Sequence, residues 1–180
     1  MRVLVAAASR HGSTAEIAAR IGKTMTTHAG LDVIVRAAAD VEDVTGYDAY
    51  VLGSAIYMGH WLEAARDLVQ RYDDSRDHPV WLFSSGPIGD PPKPDEQPVD
   101  IGAVVVATRA REHRLFAGAL RRDRLGFPER AMAAALRAPY GDFRDWAAVD
   151  AWAHEIANAL TSPADDSNTD SEGSRHDRRP

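Results

Sequence analysis

The stretch that most constrains this chain is Met1–Thr14, MRVLVAAASRHGST. Arg2 apart, its first eight residues are apolar and do not alternate with polar ones. Such a run suits a parallel strand buried on both faces better than a strand with one solvated side. Ser9, Arg10, His11, Gly12, Ser13 and Thr14 follow and lead directly into AEIAARIGKTM, which has helical spacing. A strand that turns through small hydroxylated residues into a helix gathers unpaired backbone N–H groups at the partly positive helix end. Two readings fit this turn. One is a plain helix start, with Ser13 or Thr14 as the cap and Glu16 in the first turn. The other is a seat for a phosphate. GxxxxGK[ST] is absent and no GxGxxG follows the strand, which excludes two common nucleotide loops. No acidic residue closes the strand, so a Mg²⁺ site there is not expected.

The rest of the chain repeats the strand-then-helix alternation. Gly30 is placed to stop the first helix. Leu31–Arg36 is β-branched and predicts the second strand. AAADVEDVTGYD connects it, with room for one short helical turn, to a third strand at Ala49–Leu52. Leu62–Tyr72 has helical spacing, and Val80–Phe83 predicts the fourth strand. Ile101–Arg111 is most simply a helix, although VVVAT has β character. His113–Leu120 predicts the fifth strand. Pro128 suits the start of a helix running to about Arg137, and Phe143–Leu160 predicts a last amphipathic helix. Together these predict an α/β fold with a doubly wound, five-stranded parallel sheet over residues 1–161. Residues 162–180 lack large apolar side chains and are expected to form a disordered tail.

Composition narrows the function. The chain has 180 residues, 44% apolar and 27% charged, with no Cys. Without thiols it has no disulfide, thiolate metal site or iron–sulfur cluster, so redox chemistry requires a borrowed cofactor. His11, His28, His78, His113 and His154 show no metal-binding spacing, and no metal is expected. No apolar run approaches the ~20 residues that span a bilayer. The N-terminus does not have the pattern of a signal peptide, so a cytoplasmic location is expected. Nucleic acid is not an expected partner. The net charge of −6 is uneven: Arg109–Arg144 holds nine arginines against four carboxylates, leaving the remainder strongly acidic. Within it, Arg121, Arg122 and Arg124, with Leu125 and Phe127, are expected to form a docking surface for an acidic partner or an anionic membrane face. The competing reading is an ordinary solvated face.

Three loops should converge where the strands end, which is where ligands bind in such sheets. Residues 9–14 offer donors for one phosphate. Residues 54–61 offer Tyr57, Met58, His60 and Trp61 as flat or polarizable surfaces, with core packing as the alternative for Tyr57 and Trp61. Residues 84–92 are rich in Gly and Pro, whose backbone can approach a planar ring closely. A phosphate seat beside stacking surfaces suits a mononucleotide with a large ring. No residue is assigned a catalytic role.

SRHGST resembles the phosphate loop of flavodoxins. GSAIYMGHW, FAGALRRD, FPERAMAAAL and the closing DW…AWAHEIA helix resemble the flavodoxin-like protoporphyrinogen oxidases that pass electrons to quinones. The resemblance covers residues 1–160 and implies a flavodoxin-like fold with FMN as cofactor. It implies that Ser9, Arg10, His11, Gly12, Ser13 and Thr14 hold the FMN phosphate. It sets the isoalloxazine ring against Ser54, Ala55, Ile56, Tyr57, Met58 and Gly59, and against Ser84, Ser85, Gly86, Pro87, Ile88 and Gly89. Gly53 or Gly59 would then permit a peptide flip beside the ring. The segment after the fifth strand is shorter and less aromatic than in those oxidases. The expected function is an FMN-dependent oxidoreductase acting on a porphyrinogen-like substrate with a quinone as acceptor. The alternatives are a non-catalytic electron-transfer protein between redox partners and a module that kept the fold and lost the flavin.

Overall fold

The computed structural model describes residues 1–72, 78–86, 88–89, 97–135 and 137–162. Its elements run β1 (Arg2–Ala8), α1 (Ser13–Ala29), β2 (Asp32–Ala37), β3 (Ala49–Tyr57), β4 (His60–Trp61), α2 (Glu63–Arg71), β5 (Val80–Ser85), α3 (Ile101–Thr108), β6 (Glu112–Phe116), β7 (Ala119–Leu120), α4 (Phe127–Ala135), β8 (Gly141–Asp142) and α5 (Trp146–Thr161). One 3-10 turn spans Ala38–Asp40 and a second spans Arg122–Arg124.

Five parallel strands form the sheet in the order β2-β1-β3-β5-β6. The continuous apolar run of β1 has the expected cause. Val3, Val5 and Ala7 enter a core built with Ile17 and Ile21 of α1 and Trp152 and Ile156 of α5. Leu4, Ala6 and Ala8 enter a second core with Leu68 of α2 and Ile101 and Val104 of α3. A strand covered on both sides must be apolar at every position. Strand order reverses between β1 and β3, one crossover passing to each side, and this leaves a crevice beyond the carboxyl ends of those strands. Gly30, at φ 62°, ends α1 by donating its N–H to the Thr26 carbonyl at 3.0 Å. Asp145 caps α5, its carboxylate accepting from the Ala148 N–H at 3.0 Å.

Three expectations are corrected. The third strand continues to Tyr57, so Gly53–Tyr57 are strand and not loop: Ser54 lies opposite Ala8 and Ser84, and Ala55 opposite Ser85. Gly53 serves close packing there. A Cβ on it would come within 2.2 Å of the Phe83 ring, so packing, and not backbone freedom, requires glycine at this position. The fifth strand also stops early, at Phe116. Ala119–Leu120 instead pairs antiparallel with Gly141–Asp142, forming a small hairpin beside the sheet. The tail, the 73–77 turn, Pro87 and Asp90–Pro92 lie outside the described residues.

Candidate functional site

The turn between β1 and α1 is built around Gly12. It adopts φ 89°, a left-handed conformation that only glycine takes readily, and holds the cap position with no side-chain cap. Ser13 and Thr14 are the first helical residues, so neither is the cap. Ser9 Oγ accepts the Gly12 N–H at 3.1 Å, and Ser13 Oγ accepts the Ala119 N–H at 3.0 Å. Each hydroxyl has its oxygen engaged and its hydrogen left to donate. With the uncapped first-turn amides, the turn presents mainly donors, the arrangement an anion requires.

This turn opens on a cavity of about 240 Å³. All three loops meet there. The first contributes Ser9, Arg10, His11, Ser13 and Thr14; the end of β3 contributes Ala55, Ile56 and Tyr57; and the segment after β5 contributes Ser85, Gly86 and Ile88. Thr14 is only 1% exposed and still lines the cavity. Gly86 is tight against β3, where a Cβ would lie 3.0 Å from the Ile56 Cβ.

The remaining sequence candidates lie around it. Ser54 is buried, its Oγ donating to the Ala55 carbonyl and accepting from the Leu62 N–H, each at 2.9 Å. Ser84 is buried too, accepting from Trp61 Nε1–H at 2.7 Å and meeting His113 Nε2 at 2.8 Å. Trp61 is 2% exposed and belongs to the core, so it is not a stacking surface for the cavity. Met58 (φ 52°) and Gly59 (φ 82°) form the turn after β3, with Met58 82% exposed. His60 is exposed and pairs opposite Tyr57. Gly89 is buried in a left-handed conformation at φ 95°.

A fourth wall was not legible in the sequence. Gly118, Ala119 and Leu120 line the cavity from the hairpin, and Leu125, Glu129, Met132 and Ala133 from α4 and the turn before it. Glu129 ties that wall to the first loop. One carboxylate oxygen lies 3.0 Å from Arg10 Nε and 3.2 Å from His11 Nε2, and the other accepts the Gly126 N–H at 2.8 Å. The Gly126 N–H, with His11 and Arg10, holds the Glu129 carboxyl below its ordinary range. Arg10 also sits 4.3 Å over the Tyr57 ring, joining the loops on either side.

The hairpin is anchored to the same helix start. The buried Arg144 side chain grips Asp142 through Nε at 2.7 Å and Nη2 at 2.6 Å. Its Nη1 reaches Glu16 at 2.7 Å and the Ser13 carbonyl at 3.3 Å. Arg121 joins this cluster, 3.4 Å from Glu16 and 3.7 Å from Asp142. Arg121 is exposed but turned toward these carboxylates, while Leu125 is buried against the cavity and so is not part of an exposed docking face.

The sequence matches the family described as "Flavodoxin domain" over residues 4–145. The chain belongs to the flavodoxin domain family. Proteins of this family bind a flavin, typically FMN. The fold is shared with a flavodoxin from the domain Archaea, at 16% identity and a TM-score of 0.61, covering 90% of this chain and 100% of that one. A flavodoxin variant from Pseudomonas aeruginosa superposes with a TM-score of 0.58 at 16% identity, covering 90% of this chain and 100% of that one. A rubredoxin oxygen:oxidoreductase from Desulfovibrio gigas matches with a TM-score of 0.60 at 12% identity. There, 88% of this chain covers 36% of the larger protein. No curated protein sequence matches the chain. Among the described residues of this flavodoxin-domain chain, no helix is long and apolar enough to cross a membrane.

Proposed function

We propose that this flavodoxin-domain protein binds FMN in the cavity and works as an oxidoreductase through it. The observation that carries this reading is the uncapped, donor-rich start of α1 opening onto an apolar cavity at the sheet's switch point. The residues fit the group. Ser9, Ser13 and Thr14, with the backbone of residues 10–14, would hold the phosphate. Ala55, Ile56, Tyr57, Ser85, Gly86 and Ile88 would take the ring, and Met58 and Gly59 would border it. Leu125, Met132 and Ala133 would keep water from its far side. Bound flavin supplies one- and two-electron transfer. The protein's own side chains bind, orient and desolvate it.

At the finer level, the reading is oxidation of a porphyrinogen-like substrate with electrons passed to a quinone. The apolar wall that α4 adds to the cavity supports an organic substrate. A quinone dissolved in a bilayer would place the protein at a membrane's cytoplasmic face. A second reading is electron transfer between redox proteins. Met58 and Val99 favour it: both are exposed, and the Val99 N–H donates at 2.9 Å to the carbonyl of Gly59, the residue next to Met58. Such an apolar spot beside the cavity suits transient protein docking. The visible absorption spectrum of the purified protein tests the shared part. A flavin spectrum, with FMN released on denaturation, is expected; a colourless protein that takes up no added FMN would refute it. Multiple turnover with substrate and quinone, without a protein partner, separates the two finer readings.

A further inference from the structure

Helix α4 is the least buried helix of the domain. Of its nine residues only Ala133 is buried, while Phe127 is 84% and Met132 51% exposed. Helical geometry puts Phe127, Arg130, Ala131 and Ala134 on one side, opposite Glu129 and Ala133, which face the cavity. Arg122 and Arg124, in the turn before the helix, and Arg137, just after it, are exposed as well. These four differ from the neighbouring Arg121 and Arg144, which are spent on Glu16 and Asp142. Among the described residues, Arg122, Arg130 and Arg137 make no ion pair, Arg130 Nε donating only to the Leu125 carbonyl at 2.8 Å, and Arg124 has only exposed Asp123 at 4.0 Å. A cationic face carrying a bare aromatic stands out on a chain whose net charge is −6.

We infer that the outer face of α4, with Phe127 and the arginines at 122, 124, 130 and 137, docks on an anionic lipid bilayer. Charge decides the sign of the partner. The shape of the face decides its kind. A stable protein complex needs about 800 Å² on each side, and a single short helix of mostly alanine offers neither that area nor a pocket. A bilayer needs only an apolar residue to enter the headgroup layer while arginine stems lie along it with their guanidinium groups at the phosphates. The docking itself does not rest on the cofactor reading. Where both hold, the inner side of the same helix lines the cavity, so a lipid-dissolved acceptor would meet the site at the docked face.

The test is sedimentation of the full chain with vesicles of mixed phosphatidylcholine and phosphatidylglycerol, and with vesicles of phosphatidylcholine alone. Binding to the anionic vesicles only, falling as salt rises, is expected. Arg122→Glu, Arg124→Glu and Arg137→Glu should each lower the partition at least about fivefold, with unchanged melting temperatures because all three side chains are exposed. Phe127→Ser should also lower it, and Phe127→Trp should give emission that shifts to the blue only with anionic vesicles. Absence of binding at low salt, equal binding to neutral vesicles, or wild-type binding by the charge-reversed variants would overturn the inference. So would a dimer in vesicle-free solution that Phe127→Ser disperses, which would assign the face to a second copy of the chain.

Discussion

What Ser9 and Ser13 can offer the proposed phosphate depends on which half of each hydroxyl is already engaged. Both oxygens accept backbone N–H groups, so both hydrogens remain to donate. Ser9→Ala combined with Thr14→Val should weaken FMN binding by about 2–4 kcal/mol, at about 1–1.5 kcal/mol per lost hydrogen bond and more where phosphate charge loses a donor. Equilibrium titration of the apoprotein measures it, and an unchanged affinity would move the phosphate elsewhere. His113 supports a different prediction. Burial pushes its pKa down to about 4, against a weaker opposing pull from Glu112. The unfolded chain therefore binds the proton more readily, so the contribution of neutral His113 is complete above about pH 6.5 and shrinks as pH falls toward 4. Discounted for partial exposure, the loss should be about 1–2 kcal/mol. Urea midpoints at pH 7 and pH 4.5 should show it, and His113→Gln should flatten the profile. Parallel profiles for the two proteins would contradict it.

At the scale of elements, the β7–β8 pair braces the β1–α1 turn from outside the sheet. Arg144 bridges the hairpin's Asp142 to Glu16 and the Ser13 carbonyl, and Ala119 donates to Ser13 Oγ. Arg144→Met would remove several charge-assisted bonds while the partly exposed carboxylates rehydrate. The expected cost is about 2–3 kcal/mol and a melting temperature lower by roughly 5–10 °C, with weaker FMN binding as Ser13 loosens. Wild-type melting and affinity would show that the turn holds itself. The legibility of the sequence divides along the same lines. The strand and helix around Met1–Ala29 could be read because a two-sided apolar run, a turn and a helical stripe are local signals. Gly53, Ser54 and Ser84 resembled loop residues because they are small or polar. Their place in strands follows from pairing with Ala8, Phe83 and one another, which no local pattern records. Trp61 looked available because it follows a turn; its indole N–H instead satisfies Ser84 inside the core. Glu129 sits in an ordinary alanine-rich helix, and only the tertiary fold brings it to Arg10 and His11.

At the scale of the whole molecule, the sheet's order places the β1–α1 turn, the end of β3 and the segment after β5 around one crevice, and α4 closes its side. The β1–α1 turn and the cavity it opens on offer a seat for one phosphate, which supports the proposed mononucleotide. A dinucleotide would need a second phosphate fingerprint, and the sequence has none. The most direct measurement is therefore a titration of the apoprotein with FMN and with FAD, followed by quenching of flavin fluorescence. One site per chain is expected, with FMN bound more tightly than FAD and an FMN affinity that falls in the Ser9→Ala, Thr14→Val protein. Equal or tighter binding of FAD, or no saturable binding of FMN, would contradict this expectation.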